Sequence, residues 1–186
     1  MLRLKTKLID SAVRGFDKDF KTAKFLFDQD SFLKNYNFNK ANGNLYTAEN
    51  MIQRYCAAYD INQRLILVTL EREGGHFIST KTAAEALEKK NDAGLPALDW
   101  ACCVGVPDSL KLQTKYQGFE NQIAGACAIY DRWFKLYKPE TIKELVKPDP
   151  ELLCIPESAA TFALLMYTPH ADSLTLTENL FRKYGF

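Results

Sequence analysis

One stretch in the middle of the chain, Ile61 to His76, limits what this sequence can fold into. It begins with Asn62, a favourable N-cap residue for a helix, and is apolar on almost every side from Leu65 to Leu70. A helix that is apolar all round is a buried helix, and about a dozen residues are too few to cross a membrane. We therefore expect a buried helix through the centre of the fold.

This helix would deliver two carboxylates, Glu71 and Glu73, at its C-terminal end, followed by Gly74 and Gly75. Glycine after the last turn tolerates the left-handed backbone with which many helices end. The helix dipole is negative at this end and burial penalises charge, so both effects would raise the pKa of a carboxyl group there. A carboxylic acid that is protonated near neutral pH is what a glycosidase needs as its general acid. A glutamate near a helix end is more commonly a solvated charge, and the pattern alone does not choose.

Length, charge and composition exclude several classes of protein. The 186 residues suit one domain, 1–186, with a sizeable core, and 47% of them are hydrophobic, which excludes a disordered chain. A net charge of +1 gives no electrostatic basis for binding nucleic acid or an anionic membrane. The basic N-terminus lacks the apolar core of a signal peptide, and we expect no membrane span.

The cysteine and histidine content argues against disulfides and metal sites. The chain has 5 cysteines and 2 histidines, and no two cysteines have zinc-site spacing. Cys56, Cys127 and Cys154 lie in apolar stretches, where a free cysteine acts as a small buried hydrophobe. We expect neither a metal nor another cofactor.

Helical periodicity recurs on both sides of the central helix. The sequence predicts one or two amphipathic helices within residues 1–44, as an N-terminal extension packed on the domain. Further predicted helices begin at Thr47 and cover 81–91, 122–137, 159–167 and 174–184. The helix at 159–167 is nearly all apolar and should be buried, and the last helix should turn Leu176, Leu180, Phe181 and Tyr184 inward.

Residues 92–117 are irregular, with Gly94, Pro96, Gly105 and Pro107. Such a stretch in a compact domain often lies over a functional cleft. We expect an irregular or short-stranded segment here, in which short strands could lie around 101–106. The fold class predicted from all these patterns is mainly α.

Three separated stretches together resemble the lysozyme-like superfamily, in particular bacterial lytic transglycosylases and muramidases that cleave peptidoglycan. The first is I-N-Q-R-L-I-L-V-T-L-E-R-E-G-G, which resembles the buried helix that ends in the catalytic glutamate. The second combines L-D-W-A-C-C-V-G-V-P-D-S with Y-Q-G-F-E-N-Q-I-A-G-A, and resembles the segment that forms the glycan cleft. The third is F-A-L-L-M-Y-T-P-H, which resembles the helix whose tyrosine faces the glutamate. The resemblance covers about residues 45–186 and implies a lysozyme-like α+β fold.

The resemblance also implies roles for individual residues. It matches Glu73 to the catalytic glutamate, with Glu71 as the rival that periodicity does not exclude. Tyr167 matches a tyrosine that hydrogen-bonds the glutamate or the substrate. The remaining matches are to sugar-contacting positions, where Phe119 and Tyr116 could stack on pyranose rings or simply pack, and Gln122 is one residue further from Gly118 than in the simple transglycosylase pattern.

No second carboxylate is evident. Asp99 and Asp108 are the best placed, although aspartates in loops commonly stabilise turns. The resemblance therefore implies cleavage of β-1,4 bonds between N-acetylmuramic acid and N-acetylglucosamine, with peptidoglycan or a related aminosugar polymer as partner, and favours the one-glutamate transglycosylase chemistry. The alternatives are a hydrolytic lysozyme, a non-catalytic glycan-binding module, and a structural part of a phage particle or secretion apparatus.

Overall fold

The computed structural model describes residues 2–4, 13–39, 45–91, 93–107, 109, 111–138, 146–149, 152–168 and 171–186. The described chain is mainly helical. Its α-helices are α1 (Thr22–Asp28), α2 (Ala48–Tyr59), α3 (Gln63–Glu73), α4 (Ala83–Glu88), α5 (Phe119–Leu136), α6 (Ala159–Tyr167) and α7 (Ala171–Lys183). Short 3-10 helices lie at Phe32–Lys34 and Thr114–Tyr116.

Helix α3 is the predicted central helix. The Asn62 side chain caps it by accepting a hydrogen bond from the Arg64 amide, and every residue from Leu65 to Glu71 is buried. The helix packs against α2, α5 and α7. Burial on all sides follows from its apolar sequence, because each face has a neighbouring element to pack on.

The two glycines after α3 have different tasks. Gly75 takes the left-handed conformation, with a φ of 81°, as expected for a helix end. Gly74 does not, but a Cβ atom there would lie 2.5 Å from the Ala101 carbonyl oxygen and 2.8 Å from the Phe77 ring. Gly74 therefore allows the irregular segment to approach the end of α3 closely.

Helices α5 and α6 pack against each other behind α3. The predicted buried helix at 159–167 is confirmed by α6, which Ser158 caps by accepting from the Thr161 amide. In α5, an added Cβ at Gly125 would meet Val104 Cγ1 at 2.8 Å and the Tyr116 ring at 3.3 Å. Here too a glycine lets the irregular segment lie directly on a helix.

The strands lie outside the irregular segment. Residues 101–106 form turns, so of the two alternatives for residues 92–117 the irregular one is confirmed there and the short strands are not. The strands are β1 (Leu2–Leu4), β2 (Asn37–Asn39), β3 (Leu45–Thr47), β4 (Val146–Asp149) and β5 (Leu152–Pro156). Strand β5 pairs in parallel with β1 and antiparallel with β4, and β2 pairs antiparallel with β3.

The N-terminal segment contains α1 and the first 3-10 helix. Of the one or two helices predicted within residues 1–44, α1 is one, and residues 5–12 lie outside the described residues. The segment packs on the domain, because Phe32 contacts the Phe77 ring at 5.6 Å and Phe38 stacks on Phe119 at 4.1 Å. It contributes aromatic side chains to the common core.

Helix α7 agrees with the predicted inward face except at Leu176. Phe181 is buried, Leu180 and Tyr184 are partly buried against the core, and Leu176 is 48% exposed. The helix also buries Leu174 and Thr177, and it packs against α3 and α6. Across the described residues, none of the helices has the length and apolar character needed to cross a membrane.

Candidate functional site

The Glu73 carboxylate lies where α3 ends, and its side chain is 16% exposed. Its Oε1 atom accepts hydrogen bonds from Arg72 Nε at 2.8 Å and from Thr168 Oγ1 at 2.9 Å. Arg72 Nη2 lies 2.7 Å from the same oxygen and forms an ion pair with it. Within the described part of the chain, Oε2 accepts no hydrogen bond, so one oxygen of Glu73 is fixed and the other is available.

Arg72 is the most deeply buried charge beside Glu73, with a side chain 6% exposed. Besides Glu73, its guanidinium donates to Thr168 Oγ1 at 2.7 Å and to Thr177 Oγ1 at 2.6 Å. Burial lowers the pKa of Arg72, but the Glu73 carboxylate beside it outweighs this effect and raises it. Arg72 therefore carries a positive charge inside the protein, and it joins three helices.

Tyr167 lies beside this cluster at the end of α6. Its hydroxyl donates to the Cys102 carbonyl oxygen at 2.7 Å, and its ring stacks on Tyr130 with centroids 4.5 Å apart. Burial raises the pKa of Tyr167 well above its usual value, with the nearby Glu73 adding to the effect. The resemblance implied that Tyr167 hydrogen-bonds the glutamate or the substrate. In the structure, the hydrogen bond to Glu73 is made by the next residue, Thr168.

Glu71, the rival carboxylate, is fully buried and has both oxygens occupied. Its Oε2 accepts from the Ile78 and Ser79 amides at 2.9 and 3.1 Å, and its Oε1 accepts from Ser79 Oγ at 2.8 Å and Lys183 Nζ at 3.4 Å. Burial raises the pKa of Glu71, but these groups and the nearby Tyr184 hydroxyl lower it by more, so the net shift is downward. Glu71 therefore remains an anion near neutral pH and anchors the residues that follow α3.

Gln122 connects α5 to the irregular segment. The side chain is fully buried, and its Oε1 accepts from the Cys102 and Val104 amides at 3.1 and 3.0 Å. Its Nε2 donates to the carbonyl oxygens of Val104 and Tyr116 at 2.9 and 2.7 Å. With all these bonds made inside the protein, Gln122 holds the segment in place.

The other predicted sugar-contact residues lie around the start of α5. Phe119 is 4% exposed and packs among aromatic rings in the core. Tyr116 is partly exposed and lies over Gly105 and Gly125. Gly118 caps α5 with a φ of 97°, a left-handed conformation that favours glycine. Of this group, Tyr116 is the side chain that still presents a partly open ring.

Asp99, one of the two candidate second carboxylates, makes its hydrogen bonds away from Glu73. The Asp99 side chain accepts from Gln117 Nε2 at 3.0 Å, and its carbonyl oxygen accepts from the Gly118 amide at 2.9 Å. These bonds give Asp99 a task in stabilising the turn before α5. Asp108 and His170 lie outside the described residues.

Thr168, Thr177 and Arg72 are the site residues that sequence reasoning missed. Arg72 is adjacent to Glu73 on the helix, and neighbours in sequence do not face each other on a helix surface. No periodic pattern would have joined these three positions. In the same described ranges, no group of three His, Cys, Asp or Glu side chains is placed to hold a metal ion.

Comparisons with known proteins found no matching family model, no matching curated protein and no matching solved structure. The case for a function therefore depends on the residues of this chain and their geometry.

Proposed function

We propose that this protein cleaves the β-1,4 bond between N-acetylmuramic acid and N-acetylglucosamine in peptidoglycan, by the lytic transglycosylase reaction, with Glu73 as the general acid. One observation carries the proposal: the three stretches that resemble the lysozyme-like superfamily contact one another around Glu73. Thr168 of the third stretch donates to the Glu73 carboxylate, Tyr167 donates to Cys102 of the second, and Cys103 Sγ of the second donates to the Glu73 carbonyl oxygen. These contacts among distant segments support a common task.

The two oxygens of Glu73 have different surroundings, which determine where the proton of the acid form lies. Oε1 accepts two hydrogen bonds and forms the ion pair with Arg72 Nη2, so the proton of the acid form belongs on Oε2. In the first step this proton moves to the glycosidic oxygen while the bond from that oxygen to C1 of N-acetylmuramic acid breaks. The N-acetylglucosamine chain then leaves with a new hydroxyl group.

The second step returns the proton to Glu73. The Glu73 carboxylate removes the proton of the 6-hydroxyl on the same N-acetylmuramic acid, and the oxygen of that hydroxyl bonds to C1. The product is a 1,6-anhydro sugar, and no water is consumed. This chemistry needs one carboxylate, which agrees with the separate task that Asp99 has in its turn.

The test is digestion of purified peptidoglycan followed by mass spectrometry of the soluble fragments. We expect fragments lighter by one water than hydrolysed ones, formed by the wild type and lost with Glu73→Gln. Glu88→Gln, which changes an exposed glutamate of α4 in the same way, is the matched control and should retain activity. Fully hydrated fragments would instead indicate a lysozyme reaction.

One observation favours a second function, a non-catalytic glycan-binding module. The buried Arg72 pairs with Glu73 at 2.7 Å, so this carboxylate already has a fixed ionic partner inside the protein, as a residue that only supports a binding surface would. A binding module would retain its affinity for peptidoglycan sacculi after Glu73→Gln and release no fragments in either form. A co-sedimentation assay run beside the digestion separates the two functions.

A further inference from the structure

We propose that Arg72 is a positioning residue for Glu73, and that it connects the orientation of the acid to α7 through Thr177. This inference rests on the proposed function, because it assigns Arg72 a role in the same reaction. Arg72, Glu73, Thr168 and Thr177 are referred to as the Arg72 network.

The contact between Arg72 and Glu73 is not a by-product of helix geometry. Side chains at adjacent positions of a helix point in different directions, so the guanidinium must turn back to meet the carboxylate. It is held in that position by Thr168 at 2.7 Å and Thr177 at 2.6 Å. Both hydroxyls come from other elements, at the end of α6 and on the inward face of α7.

Thr168 closes the network. Its Oγ1 accepts from Arg72 Nη2 and donates to Glu73 Oε1, so three side chains bind one another in a closed ring. The planar guanidinium is suited to this arrangement because its N–H groups have fixed directions. A lysine at position 72 would keep the charge but could not reproduce this set of directed bonds.

Arg72 also supplies the charge that lies against the Glu73 carboxylate. The other titratable groups facing Glu73 from the elements packed around it are Tyr130 on α5, Tyr167 on α6 and the cysteines of the irregular segment. Burial raises the pKa of Tyr130, Tyr167 and Cys102, so these three are neutral across the working range of a carboxylic acid. Within the described residues, Arg72 is the charged side chain in contact with the Glu73 carboxylate.

The expected effect falls on the chemical step and not on substrate binding. Arg72→Lys keeps the charge but loses the directed bonds to Thr168 and Thr177. It should lower kcat by about tenfold to a hundredfold with KM unchanged, because the acid is held less well in position.

Arg64 provides the matched control. It lies on the same helix, it pairs with Asp17 at 2.7 Å, and its side chain is 26% exposed. Arg64→Lys should leave kcat and KM unchanged. Thr177→Val is the second variant if Arg72→Lys folds poorly. It keeps the ion pair and removes one bond of Arg72, so it should lower kcat by less than Arg72→Lys, and Thr177→Ser should restore the rate.

The deciding experiment measures kcat and KM for peptidoglycan cleavage by the wild type, Arg72→Lys and Arg64→Lys. Each rate is normalised to the folded fraction from circular dichroism. The inference requires that kcat falls at unchanged KM in Arg72→Lys and stays at the wild-type value in Arg64→Lys.

Three outcomes are distinguishable. An active wild type with a lowered kcat and an unchanged KM in Arg72→Lys supports the inference. An active wild type whose kcat is retained in Arg72→Lys, or whose KM alone changes, overturns the role of Arg72 and leaves the proposed function intact. An inactive wild type overturns the proposed function and, with it, the positioning role.

Discussion

Glu71 and Glu73 lie two residues apart at one end of α3, and the structure gives them opposite surroundings. Glu71 has a side chain 1% exposed, and both of its oxygens accept hydrogen bonds. Glu73 is 16% exposed, and one oxygen accepts both of its hydrogen bonds and forms its ion pair. The more deeply buried carboxylate is thus the one with no oxygen left for chemistry.

The comparison shows that burial alone does not identify an acid. A buried carboxylate that accepts several hydrogen bonds, including backbone amides, is stabilised in its charged form. For Glu71 this outweighs desolvation, and its pKa is lowered. What distinguishes Glu73 is an oxygen, Oε2, that accepts no hydrogen bond from the described residues.

The largest expected difference is in activity. Glu73→Gln should reduce peptidoglycan cleavage by about 10²- to 10⁴-fold, the usual contribution of a general acid. Glu71→Gln should retain activity per folded molecule, because Glu71 has no open oxygen. Fragment release should be normalised to the folded fraction from circular dichroism, since Glu73→Gln also leaves Arg72 without its partner. Equal losses in both variants would contradict the division of tasks.

For the free energy of unfolding, we expect the larger effect from Glu71→Gln and not from Glu73→Gln. Glu71→Gln should lower the free energy of unfolding by about 2–3 kcal/mol, because it replaces charged hydrogen bonds to Ser79 with weaker ones and leaves a buried amide imperfectly paired. Urea unfolding of the two proteins measures this. A change below about 0.5 kcal/mol would mean that the bonds to residues 78–79 contribute little.

Stability should also depend on pH through Glu71. The pKa of Glu71 is lowered from its ordinary value of 4.5, so its contribution is present above that pH and is lost as the pH falls through the folded-state pKa. The stability gap between wild type and Glu71→Gln should therefore narrow as the pH is lowered from 5 toward 2. Urea midpoints across this range provide the test, and a constant gap would exclude Glu71 as the titrating group.

The smallest expected effect concerns Lys183. Its contact with Glu71 is long, at 3.4 Å, and its side chain is 54% exposed. Solvent screens such a pair, so Lys183→Met should change the free energy of unfolding by no more than about 1 kcal/mol. A larger loss would show that α7, rather than residues 78–79, holds Glu71 in place.

The elements predicted best from sequence are those with strong local signals. The Asn62 and Thr47 caps, the apolar run of α3 and the apolar helix α6 were each evident from a few neighbouring residues, and the structure confirms them. These signals are local because caps and helical faces depend on positions within one or two turns.

The strands were not predictable in the same way. Strand β1 has three residues, and it pairs with residues 154–156, about 150 positions away. A strand this short has no alternation to detect, and its partner is fixed by the tertiary fold. The absence of strands at residues 101–106 has a similar origin. The Cys102 and Val104 amides donate to the Gln122 side chain, which takes the place of a neighbouring strand.

The site was predicted in part. The sequence and the resemblance selected Glu73 and the segments that surround it, but Arg72 had no pattern to mark it. An arginine between two glutamates at a helix end is ordinarily a solvated charge. Its burial depends on Thr168 and Thr177, about 100 residues later in the chain, which only the folded protein brings to α3.

The buried amide of Gln122 has a consequence for the motions available beside Glu73. Its bonds to residues 102 and 104 give an irregular segment the backbone pairing of a sheet. The Cys102 and Val104 amides should therefore exchange with deuterium as slowly as those of α5 itself, since opening either bond exposes a polar group in the core. Residues 102–104, beside the candidate site, would then open only rarely. Any adjustment to a glycan chain would have to come from other parts of the protein.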